Sequence, residues 1–377
     1  MKTPAHLFRR AAPIALALAM ALTAAAKASD FSEPWKKADR ALVIDAYEYN
    51  SIDWVALTTD KRIAGFINKA SDGLPPPYFC FGNETEVQLC KTLWRRYAVT
   101  RELFQTRKVL AKALGLKWGA YHLARPGNPV EQANNFIDFA EPAPDDLLAL
   151  DIEDNDPTQW MSLEDAEVFA RQVYRRVGRF PVLYVNGRTA QHIADNSYRY
   201  QLLSRLPLWY ARYKPDIDSH FPIGNWRSYA LWQFSAQANC DRQRCPYRAP
   251  GTPNDIDINV VAMDVATLRA KWPFGGLVDV PEDYIASIPL PIPRETGLAG
   301  NVTVTYADVA APPTLAELEA ALRGHWSSFR AGLRLPTFGR LPRGIGEYVA
   351  WLKKEVPVPA GVDPVTTAST TADTKPR

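Results

Sequence analysis

The chain has 377 residues, 47% hydrophobic and 11% aromatic, which is enough apolar material for a sizeable core and too much for a disordered protein. That length suits one large domain with an appendage, or two ordinary domains. The formal charge is +3, and Lys and Arg are scattered rather than gathered in a stripe, which argues against a nucleic-acid partner.

The chain opens with an export address. His6, Arg9 and Arg10 make a basic start, Ala11 to Leu22 an apolar run, and Ala26-Lys27-Ala28 a small-x-small cleavage site, so residues 1–28 are predicted to be a signal peptide. The run is short for a membrane span, an uncleaved anchor being the other reading. No other stretch is apolar and long enough, so no stable span is expected once the signal is removed. The expected location is exported, periplasmic or secreted.

The predicted elements then alternate. Ala41 to Asp45 and Ile63 to Asn68 read as buried strands. Leu93 to Leu114 has helical spacing and ends at Gly115, a C-cap residue. Trp118 to Leu123 reads as a strand, Pro129 to Phe139 as a helix opened by proline, and Leu147 to Ile152 as a strand. Ser162 with Asp165 caps a helix running to Gly178. Pro181 to Val185, Leu208 to Tyr210, Tyr229 to Phe234 and Ile256 to Val261 complete the strands. Alternating βα units followed by shorter connections predict an α/β fold, an irregular (β/α) barrel with some later helices missing. A doubly wound open sheet is the alternative. Beyond Phe274 come a Pro-rich linker at Pro289 to Pro293, a strand at Asn301 to Val309 and helices opened at Thr314 and at Ile345. A Thr/Ala-rich tail closes the chain. The expected division is 1–28 signal, 29–274 barrel, and 275–377 linker, small extension and tail without readable chemistry.

Four cysteines fall in two close pairs, Cys80 with Cys90 and Cys240 with Cys245. Three pairings are possible, and local closure is the simplest, each pair stapling a polar loop in an oxidising compartment. A zinc site would want tighter spacing and nearby histidines. No metal and no cofactor is expected.

The strongest chemical signal is Leu147-Leu148-Ala149-Leu150-Asp151-Ile152-Glu153-Asp154. Strand side chains alternate, so Asp151 and Glu153 share one face and emerge together at the strand's C-terminal end. Active sites of β/α barrels sit at that end. Neighbouring carboxylates repel, so one keeps its proton, which suits a glycosidase acid paired with an anion. An acidic turn is the competing reading, because Asp154 to Pro157 follow directly. Asp45 ends the first strand in a similar position. Asp255, Asp257 and Asn259 share a face at the start of the last strand.

Together these fragments resemble the family 25 glycoside hydrolases, the N-acetylmuramidase lysozymes, from about Leu42 to Met263. The carriers are Val43-Ile44-Asp45 through Asp53-Trp54, Ile67 to Gly73, Trp118 to Pro126, Leu150-Asp151-Ile152-Glu153, Leu208 to Tyr213, Leu231 to Ser235 and Ile256 to Asn259, in the family's order. The resemblance implies hydrolysis of the β-1,4 bond between N-acetylmuramic acid and N-acetylglucosamine, with peptidoglycan glycan strands as the partner. It implies Glu153 as general acid and then base. Asp151 would orient the N-acetyl group in a substrate-assisted reaction, and Asp45 and Asp257 would complete an acidic ring. Tyr49, Tyr121, Trp209 and Trp232 could offer groove surface, with core packing the alternative, evenly balanced for Trp232. His122 belongs to the strand framework, and Lys69 is left outside the catalytic set.

The sequence departs from the family after Asp45, where the loop is one residue shorter and Ala46-Tyr47 replaces Val-Ser. The two cysteine segments look like insertions reaching the barrel mouth, and the C-terminal third lies outside the resemblance. Two other functions fit the same residues: a catalytically silent peptidoglycan-binding protein, or a hydrolase of another amino-sugar polymer such as chitin. No protein partner leaves a mark.

Overall fold

The computed structural model describes residues 30–254 and 256–280. The expected signal peptide, Asp255 and every element expected beyond residue 280 lie outside the described residues. Eight short aliphatic and aromatic runs form the strands β1 (Leu42–Ala46), β2 (Ile63–Asp72), β3 (Lys117–Leu123), β4 (Leu147–Ile152), β5 (Val182–Asn186), β6 (Leu208–Ala211), β7 (Leu231–Ser235) and β8 (Asp257–Val260). Each pairs with its neighbours in sequence, and β8 returns to β1, which closes the barrel and excludes the open sheet. β1 to β7 run parallel, whereas β8 is antiparallel to both β7 and β1.

Helices follow the early strands: α1 (Trp54–Leu57), α2 (Glu84–Ala113), α3 (Pro129–Ala140), α4 (Leu163–Val177), α5 (Gly187–Asp195) and α6 (Val265–Lys271). Local chemistry sets their ends. Asn128 caps α3 with proline following, and Ser162 caps α4, which stops at Gly178 with φ 74°. Among the described residues only a short 3-10 turn, Asp218–His220, lies between β6 and β7, and no helix joins β7 to β8. The later helices are missing, as predicted.

Alternation splits the strands into two packed layers. Val43, Ile67, Tyr121, Ala149, Tyr184 and Trp209 fill the barrel, while Ile44, Phe66, Trp118, Leu150, Leu183 and Phe234 face outward under the helices. Packing on the outer layer continues to Leu277 and Val278. No helix among the described residues is long and apolar enough to cross a membrane.

Both cysteine pairs are bonded locally, Cys80 to Cys90 and Cys240 to Cys245. The first bond corrects the sequence reading in one respect. α2 begins at Glu84, so Cys90 lies within the helix rather than in a loop. Beside the bond, the aromatic side chains of Tyr78, Phe79 and Phe81 are 82%, 63% and 76% exposed.

Candidate active site

The site is built from strand parity. On β4, Leu148, Leu150 and Ile152 pack outward. Ala149 and Asp151 therefore point inward, and Glu153, just past the strand, lines the same pocket as Asp151. Asp45 tops β1. Asp257 opens β8 yet reaches the same end, because the antiparallel register sets it opposite Asp45. A strand-start residue comes to the mouth only because β8 is reversed. The pocket is lined by Asp45, Tyr121, Asp151, Glu153, Tyr184, Trp209, Gln233 and Asp257.

Amide and phenol donors wire its base. Asn259 Nδ2 donates to Asp45 Oδ2 at 2.7 Å, and Gln233 Nε2 donates to the same oxygen at 3.3 Å. The Gln233 amide is oriented by two hydroxyls donating to its Oε1, from Tyr184 at 2.8 Å and Tyr213 at 2.7 Å. Trp209 Nε1 donates to Asn259 Oδ1. Asn186 caps α5 through its side-chain oxygen and donates from Nδ2 to the Glu153 carbonyl at 2.6 Å, which fixes the backbone of that residue.

Burial dominates the electrostatics. It pushes Glu153 up to about 7, with Asp45 and Asp154 adding to the rise and Arg125 opposing it. Asp45 also rises to about 7 through burial, against the two amide donors. Asp151 is raised well above the carboxylate range by burial, then by Glu153 and Asp45. It is 5% exposed, and its Oδ1 has no hydrogen-bond partner among the described residues. Burial keeps Tyr121 and Tyr184 protonated.

Around this pocket lies a supporting shell, of which the sequence singled out only Lys69 and His122. Glu48 pairs with Lys69 and with Arg96, each at 2.9 Å. Those two cations outweigh its burial and hold Glu48 down at about 2. Lys69 is thus an ion-pair partner. Arg107 on α2 is buried and donates to the Tyr47 carbonyl and to Asn68 Oδ1, both at 2.8 Å, and to the Asn50 carbonyl, pinning the loop after β1. His122 is fully buried, its ring nitrogens at 2.8 Å from Ser71 Oγ and 3.0 Å from Gln132 Oε1. Burial pushes it down to about 4, so it is a neutral framework residue.

The expected aromatics separate. Tyr121 and Trp209 line the pocket. Tyr49 lies on the loop after β1, edge-on to Tyr47 at 5.6 Å and under Arg96, outside the pocket lining. Trp232 is corrected to a core residue. It is fully buried on the outer face, packs edge-on against Trp35 at 5.2 Å and donates to the Arg212 carbonyl at 2.7 Å. Its neighbours Leu231 and Gln233 hold the inward parity. Tyr184, Tyr213 and Gln233 were missed, although a glutamine inside Leu-Trp-Gln-Phe, on the inward parity, was a readable signal. Among the described residues no group of three or more His, Cys, Asp or Glu is arranged to hold a metal ion.

Residues 98–242 match the model described as Glycosyl hydrolases family 25, a stretch holding β3 to β7 with Asp151 and Glu153, while Asp45 and Asp257 fall outside it. Similar solved structures include a bacterial lysozyme from Streptomyces coelicolor, 20% identical over 63% of this chain and 98% of that one, TM-score 0.42. A muramidase from Acremonium alcalophilum is 24% identical over 61% and 98% of the two chains, TM-score 0.44. A family GH25 lysozyme from Aspergillus fumigatus is 19% identical over 63% and 99%, TM-score 0.41. A comparison with curated proteins finds no match. The family match covers the strand that carries the Asp151–Glu153 pair, and this chain is a glycoside hydrolase whose residues 98–242 resemble family 25.

Proposed function

We propose that the protein is a lysozyme-type muramidase, hydrolysing the β-1,4 bond between N-acetylmuramic acid and N-acetylglucosamine in peptidoglycan. The observation that supports this most is the Asp151–Glu153 pair at the end of β4, enclosed by Asp45, Asp257 and two tyrosines in one pocket. Glu153, with its affinity for a proton raised to about 7, gives that proton to the glycosidic oxygen as the C1–O bond breaks. Asp151, with one oxygen unpartnered, accepts the N–H of the substrate's N-acetyl group. The acetamido oxygen then closes onto C1. Water opens that ring while Glu153 takes the water's proton, which regenerates the acid. Asp45 and Asp257 hold the sugar and keep the local field negative.

The barrel, residues 29–274, is the catalytic unit in this reading, and the protein works after export. Two disulfides fit an oxidising compartment.

The test is a digest of purified peptidoglycan by the wild type and by Glu153→Gln, with the reducing ends identified. Reducing N-acetylmuramic acid is expected from the wild type, with Glu153→Gln slower by roughly 100-fold or more. Cleavage of chitin with intact peptidoglycan would move the assignment to another amino-sugar polymer. Binding without release by either form would favour a silent wall binder.

A further inference from the structure

A mouth ringed by four carboxylates also holds one oriented cation. Arg125 follows β3 by two residues, as Glu153 follows Asp151 on β4, and the pairing of Leu123 with Asp151 sets the two side by side past the strand ends. Its backbone is clamped by Gln132, whose Oε1 accepts the Arg125 N–H at 3.1 Å and whose Nε2 donates to the Arg125 carbonyl at 2.8 Å. Its Nε donates to Asp72 Oδ1 at 2.9 Å, and its guanidinium lies 4.3 Å from the centre of the Trp160 ring. These contacts hold the stem and seat the guanidinium over the ring but use a single side-chain N–H of five. Among the described residues, the two terminal nitrogens have no hydrogen-bond partner, and the side chain is 27% exposed.

The placement is costly for an acid catalyst. Arg125 lowers the proton affinity of both Glu153 and Asp151 without hydrogen-bonding to either. A site that needs a protonated acid gains nothing from that field unless the cation has another task. A guanidinium held over an indole ring, with its two terminal nitrogens open, suits a carboxylate bound by two parallel N–H donors. Chitin carries no such group, whereas the muramoyl sugar carries a lactyl substituent ending in one.

We infer that Arg125 receives a carboxylate borne on the lactyl side of the muramoyl residue, and so selects anionic over neutral amino-sugar strands. This rests on the muramidase reading above. Two sources supply that chemistry: the lactyl carboxylate itself, on strands stripped of stem peptide, or a carboxylate of the stem peptide.

The experiment measures kcat/KM for wild type, Arg125→Gln and Arg125→Lys on soluble glycan strands with and without stem peptides. Each substrate is used with carboxylates intact and after conversion to methylamides. The wild type is expected to lose about tenfold or more on amidation of the strand type that carries the recognised group. Arg125→Gln is expected to show that loss on the intact strand and no further loss on amidation, with Arg125→Lys between. The sensitive strand type identifies the source. Equal losses on amidation in wild type and Arg125→Gln, or no loss in the wild type, overturn the proposal. If Arg125→Gln does not fold, Arg125→Lys decides: an amidation loss as large as the wild type's overturns it. Failure of the wild type to release reducing muramic acid from any unmodified strand removes the muramidase reading and this proposal with it. That outcome is distinct, because it shows before any variant or amidation is compared.

Discussion

Asp151 and Glu153 stand two residues apart, and their surroundings divide the labour between them. Asp151 is buried with an oxygen unpartnered, whereas Glu153 lies partly open at the pocket and is raised to about 7. Activity that depends on a protonated Glu153 is expected to hold on the acid side and fall above about pH 7. Since Asp45 is raised to a similar value and the carboxylates interact, the limb belongs to the set rather than to one group. Arg125→Gln should move that limb upward, because it removes the charge opposing protonation. A pH profile of kcat/KM for both forms checks this, and a limb that stays fixed argues against Glu153 as the proton donor. At this scale the sequence reads well wherever parity and polarity coincide, as at Asp45, Asp151, Glu153 and Asp257. It reads poorly at Trp232, because an aromatic near a barrel mouth suits a sugar groove as well as a core, although the inward parity of Gln233 sets Trp232 outward. Arg107 looks like an ordinary helical surface charge; its partners lie 39 to 60 residues away, beyond any local pattern.

Among the elements, α2 was the least legible at its start. Of its first nine residues, Glu84 to Thr92, only Cys90 is buried, so no apolar stripe announces a helix there. The signal was the cap: Asn83 and Glu86 form a reciprocal capping box. The disulfide joins the aromatic segment to this helix across a separation of 10 residues. Replacing Cys80 and Cys90 together by serine is expected to cost about 2–3 kcal/mol from the freed loop. Urea unfolding measures it, and near-ultraviolet dichroism should retain the signal of the buried barrel tryptophans. An unchanged midpoint would mean that the staple does not limit the unfolded chain. The reversal of β8 was illegible for another reason. Its residues Asp257 to Val260 alternate the same way in either direction, and only the missing crossover helix hints at antiparallel pairing.

For the whole molecule, the raised site carboxylates set a trend opposite to that of the depressed Glu48. Glu153 and Asp45 are raised to about 7 on folding, so their contribution is fully present below their unfolded values near 4 and is lost as pH rises through about 7, with Asp151 shifted in the same direction. Glu48, held at about 2, contributes above its unfolded value and loses that as pH falls. The protein should therefore be most stable on the acid side of neutrality. Glu153→Gln should equal the wild type near pH 4 and exceed it by on the order of 2 kcal/mol near pH 8. Thermal melts at the two pH values test it, and a gain independent of pH would refute the electrostatic cause. The closed barrel itself was legible because eight apolar segments at βα spacing leave few other architectures. The order of its closure, which depends on β8 meeting β1, was not.

The reversed strand also decides by which door the polypeptide leaves. Seven strands carry it up to the mouth and the eighth brings it down. Trp272 to Val278 then run across the floor, Trp272 donating to the Trp118 carbonyl, Gly275 accepting from the Phe180 N–H and Val278 donating to the Arg205 carbonyl. A module joined beyond this point would hang from the blind end of the barrel. The enzyme could be leashed from behind, with its cleft still turned to a polymer too large to be carried to it.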